Sequence, residues 1–260
     1  MNLDDVRATW ENIGREDPFW AVLSWDGTEH GNWDVGKFFA EGEREVDSFL
    51  TQARAVNASP TFGDALDFGC GLGRLARALA GHFDTVTGVD VSAPMVEQAD
   101  RLVASEHPNC RFVVNTEPRL PFPAASFDFV LTNIVLQHMP PPLAKGYIRE
   151  FLRVLRPRGI AILQVPSECS WKSTKPLVGT LVNRLPSRAR EVIYRRRRAR
   201  DPRNLPMHSI ARTEVLRFVE RAGGRVLACI DDGAGGPDWR SFHYIVRAAP
   251  AARRRSKLNR

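Results

Sequence analysis

Residues 65–76 read Ala-Leu-Asp-Phe-Gly-Cys-Gly-Leu-Gly-Arg-Leu-Ala, and this stretch decides the fold. Its first four residues predict a short buried strand, and the residues from Arg74 onward predict a helix. The loop between them has glycine at alternate positions, Gly69, Gly71 and Gly73. Because glycine has no Cβ atom and readily adopts a positive φ, such a loop can turn tightly and let a ligand approach its backbone. The stretch therefore predicts a strand–loop–helix unit with room for a nucleoside-bearing ligand.

Strands and helices alternate along most of the remaining chain. The hydrophobic pattern predicts further strands at residues 85–89, 111–114, 127–132, 160–165, 225–230 and 242–247, and helices at residues 74–82, 94–106, 143–155 and 212–222. Strands separated by helices of this length form right-handed βαβ units and a parallel sheet with helices on both faces. We therefore expect an α/β fold with a Rossmann-like, doubly wound, seven-stranded sheet, mostly parallel with an antiparallel last strand.

An acidic residue, Asp90, closes the second predicted strand 21 residues after Gly69. A carboxylate there can accept two hydrogen bonds from ribose hydroxyls, as in nicotinamide enzymes and methyltransferases. Two details favour methyl transfer: the loop is G-x-G-x-G rather than G-x-G-x-x-G, and Asp67 precedes it. A carboxylate at Asp67 can pair with the ammonium of a methionine moiety, whereas it would repel a pyrophosphate. A plain strand-to-helix turn with a helix-capping Asp90 is the simpler alternative.

Four ordered segments resemble motifs of the class I S-adenosylmethionine-dependent methyltransferases of the type 11 domain family. They are residues 65–76, residues 86–95 (Val-Thr-Gly-Val-Asp-Val-Ser-Ala-Pro-Met), residues 120–130 (Leu-Pro-Phe-Pro-Ala-Ala-Ser-Phe-Asp-Phe-Val) and residues 151–159 (Phe-Leu-Arg-Val-Leu-Arg-Pro-Arg-Gly). The resemblance extends over about residues 63–166. It implies S-adenosyl-L-methionine as the cofactor, S-adenosyl-L-homocysteine as the product, and no metal.

The resemblance also implies which residues bind the cofactor. On the glycine loop, the methionine and ribose would be lined by Asp67, Gly69, Cys70 and Gly71. On and after the second strand, the ribose and adenine would be held by Asp90 and Val91, with Met95 as a further contact.

Three further positions follow from the later motifs. Thr116 and Glu117 stand where the family has an acid on the adenine amine, so either the threonine hydroxyl or Glu117 would take that role. Asn133 ends the fourth predicted strand, where the resemblance implies a contact near the sulfonium.

The N-terminal region has helical spacing at residues 2–14 and 35–56. Its segments 14–20 and 38–42 resemble the cap of some bacterial small-molecule methyltransferases, which implies that Phe39 and Gly42 lie over the cofactor. A helical pair that only packs on the sheet is the alternative. We predict a cap at residues 1–62, a methyltransferase domain at residues 63–248 with a substrate lid inserted at 168–207, and a basic, disordered tail at 249–260.

His138 is the predicted general base, because it follows the fourth strand on the rim where an acceptor should arrive. It could instead orient the cofactor or cap the next helix. His208 and His243 are weaker candidates from the variable region, and Tyr244 is expected to pack or position.

Composition and charge constrain the class of protein. The 260 residues are 43% hydrophobic and 26% charged, which is ordinary for a globular protein. The N-terminus lacks the pattern of a secretory signal, no apolar stretch could span a bilayer, and the four cysteines form no C-x-x-C pair. We therefore expect a cytoplasmic protein, with a peripheral membrane position as an option and the oligomeric state left open.

The positive charge is concentrated in the C-terminal third of the chain. Residues 1–167 have a net charge of −7, whereas residues 168–260 have a net charge of +14. Eleven basic residues between Lys172 and Arg203 favour a lid that attracts an anionic acceptor, such as a nucleotide sugar, a carboxylated metabolite or a lipid-linked glycan. A solvated helix face is the alternative.

The predicted function is transfer of a methyl group to a small molecule, favouring a hydroxyl of an anionic, sugar-like or secondary-metabolite acceptor. A nucleic-acid (RNA) methyltransferase is the main alternative, suggested by a sequence pI of about 9.7 and the arginine run. Against it, residues 132–135 read Thr-Asn-Ile-Val and lack a base-flipping motif. A non-catalytic cofactor-binding partner and a nicotinamide reductase are the remaining alternatives.

Overall fold

The computed structural model describes residues 2–24, 28, 32–169, 181–182, 184–186, 188–190, 192–193, 205–236 and 238–249. Its helices are α1 (Leu3–Glu16), α2 (Pro18–Val22), α3 (Val35–Ala55), α4 (Arg74–Ala80), α5 (Ala93–Ala99), α6 (Pro141–Val154) and α7 (Arg212–Arg221). Its strands are β1 (Asp64–Phe68), β2 (Thr85–Asp90), β3 (Cys110–Val114), β4 (Phe127–Thr132), β5 (Leu155–Cys169), β6 (Gly224–Asp232) and β7 (Trp239–Ala248). The predicted alternation of strands and helices is confirmed.

The strands form one seven-stranded sheet in the order β3-β2-β1-β4-β5-β7-β6. Strands β1 to β5 pair in parallel, and β7 runs antiparallel to both of its neighbours. The predicted fold class is thus confirmed, including the antiparallel last strand. Strand β5 is longer than the predicted residues 160–165, because its pairing with β7 continues to Cys169 opposite Trp239.

Two hydrophobic cores cover the two faces of this sheet. Side chains alternate between the faces along each strand, since successive residues of a strand point to opposite sides. On β4, Phe129 packs with the core that includes α3 and α4, whereas Val130 packs with the core that includes α6 and α7. Each core belongs to one layer of helices, as the doubly wound arrangement requires.

The N-terminal helices lie along the edge where the strands of the parallel part end. Helix α1 begins with a capping box, in which the Asn2 side chain accepts a hydrogen bond from the backbone N–H of Asp5 (2.9 Å). The backbone oxygen of Trp10 in α1 accepts a hydrogen bond from Ser92 Oγ (3.2 Å), directly before α5. These contacts hold α1 beside the loops that follow β1 and β2.

Most of the predicted lid and nearly all of the predicted tail lie outside the described residues, including the arginine run at 195–198. In the part of the chain that is described, no helix has the length and apolar character needed to cross a bilayer.

Candidate functional site

The glycine loop between β1 and α4 forms one wall of a cavity at the edge of the sheet. Gly69, Gly71 and Gly73 have φ values of 76°, 51° and 80°. A Cβ atom on Gly69 would lie 2.3 Å from Cγ2 of Val135, so a larger residue would collide there. The prediction that this turn depends on glycine is confirmed.

Asp90, at the end of β2, is tied to the glycine loop by its side chain. One carboxylate oxygen accepts a hydrogen bond from the backbone N–H of Gly71, and the other accepts one from that of Ser92, both at 2.9 Å. Burial raises the pKa of Asp90, and these two bonds oppose the rise. Because each carboxylate oxygen has two lone pairs, each can accept one further hydrogen bond, for example from a ribose hydroxyl.

Asp67 and Arg74 bring buried ionisable groups with unpaired atoms to the same cavity. Asp67 is 1% exposed, and its Oδ2 has no hydrogen-bond partner. Burial raises its pKa to about 7, although the charge of Arg74 opposes the rise. Arg74 is 3% exposed and donates Nη2 to Glu45 (3.0 Å), while its Nε and Nη1 have no partner. Leaving such groups unpaired costs about 1–3 kcal/mol each.

These orphaned atoms fit the amino-acid end of S-adenosylmethionine. The free oxygen of Asp67 is suited to an ammonium group, and the free guanidinium nitrogens of Arg74 are suited to a carboxylate. Asp90 lines the same cavity and has acceptor capacity left for a ribose. The donor and acceptor set therefore fits this cofactor. Sequence analysis missed Arg74, which is the first residue of α4 and belongs to no acidic or glycine pattern.

Most of the other predicted cofactor residues also line this cavity. Its lining includes Gly69, Cys70, Gly71, Val91, Met95 and Asn133 from the prediction. Burial raises the pKa of the Cys70 thiol well above its usual value, so Cys70 serves there as a small apolar wall and not as a nucleophile.

Thr116 and Glu117 do not line the cavity; Asn115, one residue earlier, does. The Asn115 side chain donates to the backbone oxygen of Glu117 (2.8 Å), and the hydroxyl of Tyr147 donates to that same oxygen (2.9 Å). The chain therefore turns away from the cavity after Asn115, and the Glu117 side chain is exposed.

Phe39 and Gly42 also lie outside the cavity lining, because α3 packs on α4 and not over the glycine loop. The guanidinium of Arg77 stacks on the Phe39 ring at 4.8 Å, and a Cβ on Gly42 would lie 2.5 Å from the backbone oxygen of Arg74. The N-terminal region reaches the cavity through α1 and α2 instead. The contributing side chains are Leu3, Val6, Trp10, Ala21 and Val22.

The loop after β4 is strained and separates this cavity from a second one. Ile134 has a φ of 61°, which is unfavourable for a β-branched residue. Its backbone N–H donates to the side chain of the buried Gln164 (3.2 Å), which helps to hold this conformation. Backbone strain of this kind is concentrated at functional sites.

The second cavity, here named the acceptor cavity, shares Ala21, Val22, Asn133 and Ile134 with the cofactor cavity. Its other walls come from α3, the 3-10 helix Leu136–His138, residues 205–207 and the β6–β7 connection. Its polar side chains include Glu45, Gln52, Gln137, His138, Asp231, Asp232 and His243. The described lining contains three carboxylates and neither lysine nor arginine.

The predicted base His138 lies in the wall of the acceptor cavity, with both ring nitrogens engaged by the protein. Nδ1 is 3.0 Å from the backbone oxygen of Pro206 and must donate to it, so Nε2 is left to accept from the Gln137 amide at 3.2 Å. Burial lowers the pKa of His138 to about 4. The ring thus holds residues 205–207 against the 3-10 helix, and its role as base remains a prediction.

Comparisons with known proteins agree with this geometry. Residues 65–159 match the family model of a methyltransferase domain. The chain is 30% identical over 135 residues to 2-methyl-6-phytyl-1,4-hydroquinone methyltransferase of Synechocystis (52% of this chain, 42% of that protein). It is 36% identical over 138 residues to 27-O-demethylrifamycin SV methyltransferase of Amycolatopsis mediterranei (52% and 49%). These matches span less than half the length of either relative.

A solved structure resembles the fold over nearly the whole chain. Magnesium protoporphyrin IX methyltransferase from Synechocystis, crystallised with bound S-adenosylhomocysteine, superposes with a TM-score of 0.63 at 18% identity. The match covers 95% of this chain and 100% of that one. At this identity the likeness concerns the fold alone.

Proposed function

We propose that this chain, whose residues 65–159 form a class I S-adenosylmethionine-dependent methyltransferase domain, transfers a methyl group to a hydroxyl of a small-molecule acceptor. One observation carries the proposal. The unpaired oxygen of Asp67 and the unpaired guanidinium nitrogens of Arg74 are buried in a cavity built on the glycine loop. These atoms have no hydrogen-bond partner within the protein, and they suit the charged end of this cofactor.

When bound, S-adenosylmethionine supplies an electrophilic methyl group, and the protein supplies alignment and a dry site. Trp10 of α1 and Val22 of α2 line the cofactor cavity and would keep water from the reacting atoms. Asn133 and Ile134 border both cavities, so an acceptor on their far side would meet the cofactor there.

The walls of the acceptor cavity favour an uncharged reacting group. Arg74 and Arg240 pair with Glu45 and Asp231 from outside the lining, whereas no lysine or arginine pairs with Asp232 in the described contacts, so this wall disfavours an anion. A hydroxyl, in contrast, can be hydrogen-bonded by these side chains. The name of one relative, 27-O-demethylrifamycin SV methyltransferase, also supports an oxygen acceptor.

Two measurements test the proposal. The first is calorimetric titration of the full chain with S-adenosylhomocysteine, for which we expect binding that Asp67→Asn weakens. The second is incubation with methyl-labelled S-adenosylmethionine and a fractionated extract, followed by mass analysis of the labelled product. We expect the label on the oxygen of a small molecule.

Each alternative function predicts a different result of these measurements. Label in RNA, with binding that weakens steeply as salt rises, would establish an RNA methyltransferase instead. Binding of the cofactor without transfer to any fraction would leave a non-catalytic partner protein. Failure to bind S-adenosylhomocysteine would overturn the proposal altogether.

A further inference from the structure

A buried glutamine lies in the middle of the apolar strand β5. Residues 160–165 read Ile-Ala-Ile-Leu-Gln-Val, and Gln164 is 0% exposed. Burying an amide costs free energy unless its polar atoms are hydrogen-bonded, so its partners are informative. The Gln164 side chain accepts a hydrogen bond from the backbone N–H of Ile134 (3.2 Å) and donates one to the side-chain oxygen of Gln137 (3.1 Å). It therefore joins the strained loop after β4 to the 3-10 helix.

The same line of hydrogen bonds continues from the 3-10 helix to residues 205–207, a described part of the predicted lid. The side-chain nitrogen of Gln137 is 3.2 Å from Nε2 of His138, and Nδ1 of His138 is 3.0 Å from the backbone oxygen of Pro206. The side chains of Gln137 and His138 are both buried. The four bonds from Ile134 to Pro206 are here named the glutamine network.

The two ends of the glutamine network fix the orientation of every group between them. The backbone N–H of Ile134 can only donate, so Gln164 must turn its oxygen towards the loop and its nitrogen towards Gln137. The backbone oxygen of Pro206 can only accept, so His138 has its proton on Nδ1 and offers the lone pair of Nε2 to Gln137. All four bonds therefore run in one direction, and bonds aligned in this way polarise and strengthen one another.

Both ends of the glutamine network belong to walls of the acceptor cavity. Ile134, at one end, borders both cavities, and Leu205 and Met207, on either side of the other end, line the acceptor cavity. The backbone N–H of His208 donates to the backbone oxygen of Gln137 (2.7 Å), which is a second bond between that segment and the 3-10 helix. The network thus determines the separation of two walls that come from distant parts of the chain.

We propose that Gln164 and Gln137 are positioning residues for the acceptor, which fix the gap between the Ile134 loop and residues 205–207 and so determine which acceptors reach the methyl group. Gln164 is not in the lining of either cavity, so it acts through its partners. Ile134 is held at a φ of 61°, and its loop could relax without this bond. Displacing one wall by about 1 Å can slow a reaction that needs close alignment by about 10²-fold. The inference rests on the proposed function.

The first test needs no acceptor. Ring-nitrogen NMR spectra are recorded at pH 7.5 on the full chain, labelled with ¹⁵N-histidine and saturated with S-adenosylhomocysteine. The signals of His138 are assigned by their loss in His138→Gln. We expect a neutral ring, since burial lowers the pKa of His138 to about 4, with its proton on Nδ1. A ring protonated on Nε2, or on both nitrogens, would overturn the proposal.

Variants of Gln164 then test whether the bonds act together. In Gln164→Met the Nε2 signal of His138 should move towards that of an unbonded ring nitrogen, although the two side chains share no hydrogen bond. The matched control is Ser241→Ala, because Ser241 accepts the other N–H of the same amide but lies outside the network. If Gln164→Met does not fold, Gln164→Asn replaces it, since the shorter side chain cannot reach both partners. Unchanged His138 signals in the folded variant would refute the coupling.

The second test uses the acceptor that the labelling experiment identifies. We expect Gln164→Met and Gln137→Met each to lower kcat/KM for the acceptor by about 10- to 100-fold, with a raised KM. The double variant should lose no more than the larger single loss, because both residues act through one network. Discrimination against a bulkier analogue of the acceptor should fall in the same variants. Ser241→Ala should keep the wild-type KM and discrimination, even if it lowers thermal stability as much as Gln164→Met does.

The outcomes separate this inference from the proposed function. If Gln164→Met loses stability but keeps the wild-type KM and discrimination, its role is only structural and the inference alone is refuted. Equal changes of KM in Gln164→Met and Ser241→Ala would refute it in the same way. If wild type itself transfers no methyl group, the proposed function fails, and the NMR spectra still decide whether the glutamine network exists.

Discussion

The cofactor cavity and the acceptor cavity are neighbours, yet they are built in opposite ways. The polar groups for the cofactor come mainly from one continuous segment: Asp67, the glycine loop and Arg74 lie within eight residues, and Asp90 follows on the next strand. The wall of the acceptor cavity includes Glu45, Asn133 and His243, which are far apart in sequence and meet through hydrogen bonds. Local backbone geometry specifies the first cavity, and packing of distant elements specifies the second.

The largest effect should come from breaking the local geometry of the cofactor cavity. Gly69→Ala places a Cβ atom 2.3 Å from Val135 at a φ of 76°. Backbone strain and overpacking together should lower the free energy of unfolding by about 2–5 kcal/mol. Urea denaturation measures this change. Gly146→Ala is the control: a Cβ there meets nothing within 4 Å in the middle of α6, so it should stabilise the protein by up to about 1 kcal/mol.

The next effect concerns Arg74, whose Nε and Nη1 have no hydrogen-bond partner in the cofactor cavity. Arg74→Met removes a cation that we assign to the carboxylate of the cofactor, and a charged hydrogen bond of this kind contributes about 1.5–3 kcal/mol. We expect the Kd for S-adenosylhomocysteine to rise by about 10- to 100-fold in calorimetric titration. Arg77→Met, one turn away and paired with Glu43, should leave the affinity unchanged. Equal losses in both variants would contradict the assignment of Arg74.

The pH dependence of cofactor binding tests the second ionisable residue of the cofactor cavity, Asp67. Asp67 has a pKa raised to about 7, so it is protonated at low pH and can pair with an ammonium group only after it ionises. Affinity for S-adenosylhomocysteine should therefore rise by about tenfold from pH 6 to pH 8, where it levels off. Asp67→Asn should bind more weakly and show a flat profile over this range. If Asp67→Asn kept the wild-type pH profile of affinity, Asp67 would be excluded as the group whose ionisation causes it.

In the protein without cofactor, ionisation of Asp67 should lower the free energy of unfolding, whereas it should raise the affinity for the cofactor. A raised carboxyl pKa in the folded state means that the folded protein holds this proton more tightly than the unfolded chain does. The contribution of Asp67 is thus favourable below about pH 4 and is lost as pH rises towards 7. Between about pH 4 and pH 7, the free energy of unfolding should therefore decline less in Asp67→Asn than in wild type.

The smallest effect should come from Glu45, which links the two cavities. Its carboxylate accepts hydrogen bonds from Arg74 (3.0 Å) and from Asn133 (2.9 Å). Glu45→Gln retains the size and an acceptor oxygen but weakens both bonds, so we expect a loss of about 1 kcal/mol in cofactor binding and a similar loss in kcat/KM. Glu43→Gln, an exposed neighbour on α3, is the control. An effect on binding alone would mean that the two cavities are not coupled through this residue.

Sequence reasoning worked best where function depends on backbone conformation. The loop at Gly69 and Gly71 requires positive φ, and only glycine meets this requirement without strain, so the residue type itself is informative. Asp90 was identified for a similar reason, since a strand end at a fixed spacing places its carboxylate beside the loop. The alternating pattern likewise predicted the seven-stranded sheet, because strand and helix periods differ.

The same reasoning was less informative where a side chain acts through its neighbours. A resemblance to the cap of other methyltransferases implied that Phe39 and Gly42 lie over the cofactor, but the packing of α3 on α4 places them outside the cavity lining. Glu117 has the expected charge, yet a turn after Asn115 exposes it.

What the sequence determined by itself was the fold class and the cofactor loop, because both follow from local rules on periodicity, φ and residue spacing. Only the tertiary structure decided which charged groups remain unpaired, and which histidine faces both a carboxylate and the shared wall of the two cavities. Burial and hydrogen bonding are properties of contacts between distant residues. They determine which atoms of Asp67 and Arg74 remain without a partner, and which groups the ring nitrogens of His138 and His243 face.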